Sequence, residues 1–127
     1  MFGELALSKK VLIALSEMGF EEPTPIQAQA IPLIMQKIDV IGQAQTGTGK
    51  TAAFGIPIVE NVVPNQHRLQ ALVLVPTREL AIQVAEEINR IGRHKRVKVL
   101  PVYGGQPIER QIRTLRMGVH VVIGTPG

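Results

Sequence analysis

Apolar residues along the chain follow two patterns, one with helical spacing and one of short continuous runs. Leu80, Val84, Ile88 and Ile91 share one helical face, which predicts a helix that stops at Gly92. Runs such as ALVLV and HVVIG are typical of strands whose two faces are both covered. The pattern predicts helices over residues 8–18, 24 onward, 50–59, 77–91 and 107–117, and strands over 39–43, 71–75, 97–103 and 120–123.

Several residues set expectations for the ends and faces of these elements. Ser8 is expected to cap the first helix, and Thr24 with Gln27 three residues later fits a capping box for the second. Pro32 is expected to interrupt or kink that second helix, and Pro57 to disturb the helix after residue 50. The side chains expected to bury the helix over 107–117 are Ile108, Ile112 and Leu115.

The alternation of strands with helices predicts an α/β fold, a parallel sheet with helices on both faces. Right-handed crossovers place the loops after the strands along one edge of such a sheet, where ligands bind. The loops expected at that edge are 44–49, 76–77, 104–106 and 124–127.

The stretch GQAQTGTGKT, residues 42–51, lies between a strand-like and a helix-like run. Glycines let backbone N–H groups face phosphate oxygens, and the following helix adds the positive end of its dipole. The alternative is a chance glycine-rich turn, and the strict motif begins with glycine where this chain has alanine. The predicted nucleotide contacts in this loop are Ala44, Gln45, Thr46, Gly47, Thr48, Gly49, Lys50 and Thr51.

Within this loop two side chains have specific predicted roles. Lys50 would neutralise the β and γ phosphates of a nucleotide, and the Thr51 hydroxyl would bind Mg²⁺. Both are therefore predicted to take part in catalysis, and Thr51 is the predicted metal ligand. The chain contains no cysteine, which excludes disulfides and cysteine-bound zinc.

Charge and hydropathy narrow the classes of partner. The formal charge is +4, with basic residues gathered at 93–96 (RHKR) and at Arg110, Arg113 and Arg116. These runs suit a polyanion, although charge taken alone favours a solvated basic face without a ligand. No apolar run is long enough for a membrane helix and no signal sequence is evident, so we expect a cytoplasmic protein with no membrane partner.

The motifs of the chain resemble those of DEAD-box RNA helicases. GFEEPTPIQ (19–27), AQTGTGKT (44–51), PTRELA (76–81), GG (104 and 105) and TPG (125–127) are similar to the Q motif, motif I, motif Ia, the GG motif and motif Ib. They occur in the family's order, and Phe2 stands where the family has an isolated upstream aromatic. The residues between the motifs look most like bacterial cold-shock members.

This resemblance implies a RecA-like nucleoside triphosphatase domain, with a Q-motif region over 1–36 and the phosphate loop with its following units over 37–127. It makes Gln27 a reader of adenine, with Phe20 nearby, where local sequence alone favours a capping glutamine and a core phenylalanine. ATP and Mg²⁺ are the implied cofactors, and RNA bound through its backbone is the implied partner. The implied RNA contacts are Pro76, Thr77, Arg78, Glu79, Gly104, Gly105, Thr125, Pro126 and Gly127.

The resemblance also implies what would follow Gly127. The DEAD tetrad, the SAT motif and a second RecA-like domain would lie downstream, and Asp39, the one aspartate, starts a predicted strand instead of ending one. The strand over 39–43 would then lack its neighbours and would sit apart, pair wrongly or borrow a strand. We expect no hydrolysis from this segment alone, and RNA-processing or ribosome-assembly partners for the whole.

Two other functions fit parts of the pattern. A non-enzymatic ATP- or RNA-binding module would need the same loops without hydrolytic motifs. A phosphate-loop translocase acting on DNA or protein would share the loop but has no need of the Q motif.

Overall fold

Three parallel strands form the sheet of this computed structural model, which describes residues 1–45 and 49–126. The strands are β1 (Ala71–Leu74), β2 (Val99–Val102) and β3 (Val121–Gly124), in the order β1-β3-β2. Both outer strands pair in parallel with β3, so that Leu72 and Leu100 lie beside Val122. The predicted parallel α/β arrangement is confirmed for these strands.

Five α-helices accompany the sheet in the described ranges, after a short 3-10 helix over Phe2–Leu5. They are α1 (Lys9–Glu17), α2 (Pro25–Met35), α3 (Lys50–Asn61), α4 (Arg78–Ile91) and α5 (Ile108–Arg116). No helix in the described ranges is long and apolar enough to span a membrane.

The core lies between the central strand and the helices α1, α3 and α4. Val121 and Ile123 of β3, Ile56 of α3 and Ile88 of α4 are fully buried and belong to one cluster. Each such side chain contributes about 1.5–3 kcal/mol by leaving water. On β1, by contrast, Leu72 and Leu74 remain exposed, so one face of this edge strand is open.

Helix α4 has both of its predicted ends. The Thr77 side chain accepts a hydrogen bond from the backbone N–H of Leu80 at 3.1 Å, which caps the helix. Gly92 follows its last residue, and a Cβ there would lie only 2.7 Å from the Cβ of Val97. The glycine therefore permits the chain to fold tightly back over the end of α4.

The two helix-internal prolines do not end their helices, so an interruption at Pro32, one of the two effects expected there, does not occur. Pro32 lies inside α2, and Pro57 lies inside α3, which continues to Asn61. An internal proline costs about 3 kcal/mol through its missing N–H and its ring clash. Burial of neighbours such as Ile31 and Ile56, both fully inaccessible to solvent, offsets that cost.

The predicted cap at Ser8 is only half right. Ser8 is the residue before α1, but its hydroxyl makes no capping bond and has no partner in the described part of the chain. Its backbone N–H instead donates to Glu60 Oε1 at 2.8 Å. Glu60 lies in the last turn of α3, so this bond ties the start of α1 to the end of α3.

The strand predicted over 39–43 is wrong for this structure. These residues have no regular structure, and Ile41 is fully exposed. The segment lies beside α2, where a Cβ at Gly42 would come within 3.2 Å of Ile26 Cδ1. A strand needs a hydrogen-bonded neighbour, and no described strand runs alongside this segment, so it sits apart.

The burial predicted for α5 is also wrong. Ile108 is 69% exposed, Ile112 40% and Leu115 38%, whereas the polar Gln111 is buried. The Gln111 amide donates to the carbonyl oxygen of Tyr103 at 3.2 Å, which ties this side of α5 to the end of β2. Gln111 follows Ile108 by three residues and precedes Leu115 by four, so it shares their side of the helix. Helical spacing correctly grouped the apolar residues but could not show that they remain exposed.

Candidate functional site

The end of the phosphate loop is tied directly to helix α2. Gly49 has a φ of 80°, in the left-handed region, and immediately precedes α3. Its carbonyl oxygen accepts a hydrogen bond from Gln27 Nε2 at 3.1 Å. A Cβ at Gly49 would collide with that same amide nitrogen. Glycine is thus required here both by the backbone conformation and by the approach of Gln27.

Gln27 shows one of the two roles that sequence reasoning left open. Its Oε1 accepts from the backbone N–H of Thr24 at 3.0 Å, so the capping interpretation is observed at this atom. The side chain is only 3% exposed. One N–H and one lone pair of the amide remain beyond the two bonds described, enough for a base edge. Its role as adenine reader stays a prediction.

The Thr24 hydroxyl lies close to the same junction. In the capping box that begins α2, this hydroxyl faces the backbone N–H of Gln27. It would stand 3.2 Å from a Cβ at Gly49, so it also lies beside the entrance to α3.

Lys50 and Thr51 begin helix α3, as the predicted loop-to-helix transition requires. Lys50 is exposed and Thr51 is half-buried. Among the described residues no side chain caps this helix, so its first N–H groups are available to an anion. Ala44 is half-buried and Gln45 exposed, while Thr46, Gly47 and Thr48 lie outside the described residues.

A cavity of about 780 Å³ connects this junction with the end of β1. Gly49, Lys50 and Thr51 line it from one side and Pro76 from the other, with apolar residues of α3, β1 and α4 between them. The phosphate loop and the PTRELA stretch therefore meet at one cavity.

Glu87 of α4 also lines this cavity and was missed by sequence reasoning. Burial raises the pKa of its carboxyl above the ordinary value, opposed by the Arg90 charge and a hydrogen bond with Thr51. The available signal was its position, three residues after Val84 and seven after Leu80, on the apolar face of α4. A charged residue at such a position usually has a specific partner.

The carboxyl ends of the three strands bring the other predicted residues together. The Arg78 guanidinium lies over the Tyr103 ring, 5.8 Å from its centre. A Cβ at Gly105 would lie 3.6 Å from Arg78 Nη1. The Thr125 N–H donates to the carbonyl oxygen of Val102 at 3.1 Å, which places Thr125 beside the end of β2. The loop after β2 thus contacts Arg78, and the loop after β3 runs beside the end of β2.

The other predicted residues at this edge are placed as follows. Thr77 is engaged as the cap of α4, and Glu79 approaches Arg78 at 3.9 Å in an exposed pair that contributes little stability. Pro76, Gly104 and Pro126 are exposed. Gly127 lies outside the described residues. Tyr103 is a further member that sequence reasoning missed, although it directly precedes the glycine pair.

Phe20 stacks on Phe2, with ring centres 6.3 Å apart and an interplanar angle of 23°. Phe2 is buried and Phe20 is half-buried against the core. The core interpretation of Phe20 is therefore observed, and its contact with a base stays a prediction.

Metal ligands are sparse in the described part of the chain. No group of three or more histidine, aspartate or glutamate side chains there could hold a metal ion. The side-chain oxygens of Thr51 and Glu87 are in contact with each other at the cavity, close to the start of the phosphate helix.

Comparison with known proteins agrees with this arrangement. The sequence model of the DEAD/DEAH box helicases matches residues 24–127. The chain belongs to that family. It is 67% identical to the DEAD-box ATP-dependent RNA helicase CshA of Geobacillus kaustophilus and 60% identical to that of Bacillus subtilis, each over 126 residues.

Solved structures of two related proteins have the same fold as this chain. A DEAD box protein from Methanococcus jannaschii superposes with a TM-score of 0.94 at 46% identity, over 99% of this chain and 34% of that one. A hypothetical ATP-dependent RNA helicase from Sulfolobus tokodaii gives a TM-score of 0.83 at 43% identity, over 95% and 34%. The sheet and its helices are therefore those of a RecA-like helicase domain.

The chain spans about a quarter of the length of the curated relatives. Each match covers 99% of this chain, but only 27% of the Geobacillus kaustophilus protein and 26% of the Bacillus subtilis protein.

Proposed function

We propose that this chain is the ATP-binding and RNA-backbone-binding part of a DEAD-box RNA helicase that separates RNA duplexes locally. The observation that carries the proposal is the hydrogen bond from Gln27 to Gly49, which couples the Q-motif helix to the start of the phosphate helix. A general phosphate-loop protein has no need of this coupling. The relatives named above as ATP-dependent RNA helicases support the same activity here.

In this proposal the nucleotide lies at the start of α3. Lys50 is exposed there and supplies a positive charge for the β and γ phosphates, while the N–H groups of the first turn donate to phosphate oxygens. Mg²⁺, when bound, would neutralise phosphate charge and would be held by Thr51. Gln27 would distinguish adenine from other bases. Thr24 and Phe20 precede α2, the helix that contains Gln27.

RNA lies, in the same proposal, along the edge formed by the strand ends. Arg78 supplies the charge, held over Tyr103, and the glycines Gly104 and Gly105 let a sugar–phosphate chain approach the backbone. Contacts of this kind position a strand without reading its bases. Binding is therefore expected to be independent of sequence.

Hydrolysis of ATP is proposed to need residues other than the ATP and RNA contacts described above. Phosphoryl transfer of this type uses a carboxylate at a strand end to hold the metal, and an acid of that kind follows none of the three described strands. The test is ATP hydrolysis with and without RNA, measured for this chain and for the whole protein. RNA-stimulated hydrolysis by the whole protein alone is expected, and equal activity in the isolated chain would contradict the proposal.

A non-enzymatic ATP- and RNA-binding module remains the second candidate, because binding and hydrolysis depend on different residues. Sequencing the gene beyond the codon for Gly127 separates the two candidates, since a DEAD tetrad downstream is expected only for the enzyme.

We further propose a division into a Q-motif region over 1–36 and a phosphate-loop region over 37–127. A cytoplasmic location and RNA-processing or ribosome-assembly partners accompany the proposal.

A further inference from the structure

A second cleft, of about 560 Å³, lies at the opposite edge of the sheet. Lys98 directly precedes β2 and His120 directly precedes β3, so the cleft faces the amino ends of the strands. Gly49, at the start of α3, and Arg78 lie toward the carboxyl ends. A four-residue strand is roughly 13 Å long, which separates the two sites.

Four cationic side chains line this cleft, Lys10, Lys95, Arg96 and Lys98. None of them forms an ion pair within residues 1–45 and 49–126. The ion pairs that do form there use Arg78, His94 and the amino group of Met1. Of the carboxylates close to the cleft, Glu17 pairs with His94. Glu60 accepts from the Ser8 N–H and its charge acts on Lys95, so one negative charge stands against the four cations. The cleft therefore has an excess of positive charge.

All three histidines of the chain also line the cleft. His120 is buried, accepts at Nδ1 from the Lys98 N–H at 2.9 Å and donates from Nε2 to the Pro64 carbonyl oxygen at 3.1 Å. These bonds fix the loop after Pro64 against the start of β2. His67 of that loop is exposed and lies 6.2 Å from the His120 ring, so its other face is open to the cleft.

One of the cationic groups, the Lys95 ammonium, is held in place by the backbone. Lys95 Nζ donates to the carbonyl oxygens of Val59 and Glu60 at 2.8 and 2.6 Å, and a third N–H of the ammonium remains for a ligand. Arg96 has a φ of 59° in the tight turn that closes α4, where the N–H of Val97 donates to the Gly92 carbonyl oxygen at 3.2 Å. A ligand would thus meet one ammonium, that of Lys95, already in position, which lowers the cost of ordering this side chain on binding.

We propose that this cleft is a second phosphate-binding site, separate from the nucleotide site, which takes the phosphate groups of RNA or of a free polyphosphate. Clustered lysine, arginine and imidazole N–H groups are the donors that phosphate oxygens accept from most strongly. For RNA, the site would hold the backbone of a segment that extends past the edge bearing Arg78. Three of the four residues of the basic run RHKR, His94, Lys95 and Arg96, would thereby contribute to phosphate binding.

Histidine ring signals in NMR spectra report on this cleft directly, because every histidine of the chain lines it. Single-stranded oligouridine RNA and inorganic tripolyphosphate are titrated separately into the protein. Movement of the His67 signals with both probes, or with RNA alone, is expected, and RNA alone would identify the backbone as the source. No movement with either probe would overturn the proposal without affecting the nucleotide site.

A matched pair of variants tests whether charge at the cleft is responsible. Arg96→Gln with Lys98→Gln should weaken the binding seen at His67 about tenfold or more, and should lower the salt slope by about 0.7 for each phosphate that is no longer neutralised. Arg93→Gln with Lys9→Gln removes the same charge from exposed positions outside the cleft and should have little effect. Equal weakening in the two pairs would indicate a solvated basic face and overturn the proposal. Lys10→Gln, on a different element, repeats the test.

Discussion

Gln27 donates from its side-chain amide to the carbonyl oxygen of Gly49 at 3.1 Å, so the second helix holds the residue from which the phosphate helix begins. The two residues are 22 positions apart in sequence. Both the position of α2 and the geometry of the loop end depend on this hydrogen bond. A substitution at either residue is therefore expected to affect stability and ligand binding together.

Gln27→Ala tests this coupling. It removes a cap worth about 1 kcal/mol and leaves the Thr24 N–H and the Gly49 carbonyl without their partner, so the free energy of unfolding should fall by about 1–3 kcal/mol. The preference for ATP over GTP should fall as well. Expressed as a free energy, this loss of preference should be larger than the loss of stability. Denaturant unfolding and competition binding measure the two effects.

Gln29→Ala is the matched control, because Gln29 is exposed on the same helix. It should change neither quantity. If Gln27→Ala lowers stability and leaves the base preference unchanged, Gln27 is only a capping residue.

Arg78→Gln should weaken RNA binding equally for all sequences. The guanidinium is the charged group held at the strand-end edge, and the slope of log affinity against log salt changes by about 0.7 for each phosphate of a single strand that the protein neutralises. Binding measured over a series of salt concentrations gives this slope for several RNA sequences. Arg90→Gln, at the far end of the same helix, should keep the full slope. A strong preference for one base sequence arising in this segment would contradict backbone binding.

The hydrogen bond between Glu17 and His94 predicts a pH dependence of stability. That bond, with the charges of His94 and Arg93, lowers the pKa of the Glu17 carboxyl below 4.5. A lowered acid pKa contributes stability that is present above 4.5 and disappears as the pH falls through the lowered value.

The melting temperature of the wild type should accordingly exceed that of Glu17→Gln at neutral pH, and the difference should shrink in acid. Glu21→Gln, an exposed residue without an ion pair in the described part of the chain, is the control. A difference that persists in acid would mean that the carboxylate charge is not responsible.

Amide hydrogen exchange should distinguish the segment 39–43 from strand β1. Residues 39–43 form no strand, whereas β1 pairs along its length with β3. Exchange of the amides in 39–43 should therefore be faster than in Ala71–Leu74. Equal protection of the two segments would show that the first one pairs with a strand after all.

The elements that sequence predicted well are those determined by local chemistry. Thr77 and Gly92 mark the two ends of α4, because a threonine cap and a glycine at the tight closing turn act within a few residues. The parallel sheet also followed from continuously apolar runs. Strand β3 is buried at every position, as its run predicts, whereas β1, whose run ALVLV predicted two covered faces, is open on one.

The predictions that failed depend on interactions between residues distant in sequence. Residues 39–43 have the apolar pattern of a strand but no described strand beside them, and pattern alone cannot supply one. The apolar residues of α5 were grouped correctly, yet they stay exposed, while Gln111 on the same side is held at the end of β2 by its bond to Tyr103. Glu87 was missed because its partner, Thr51, lies on another helix.

The most direct test of the proposed nucleotide site is ATP binding by Lys50→Ala, measured by calorimetry beside Lys9→Ala. Lys50 is exposed at the first position of α3, and removal of a charge-assisted hydrogen bond costs about 1.5–3 kcal/mol. We predict that Lys50→Ala weakens ATP binding roughly tenfold to a hundredfold, while Lys9→Ala, an exposed lysine at the start of α1, leaves it unchanged. ATP affinity that stays within about twofold of the wild type in Lys50→Ala would contradict the proposed site.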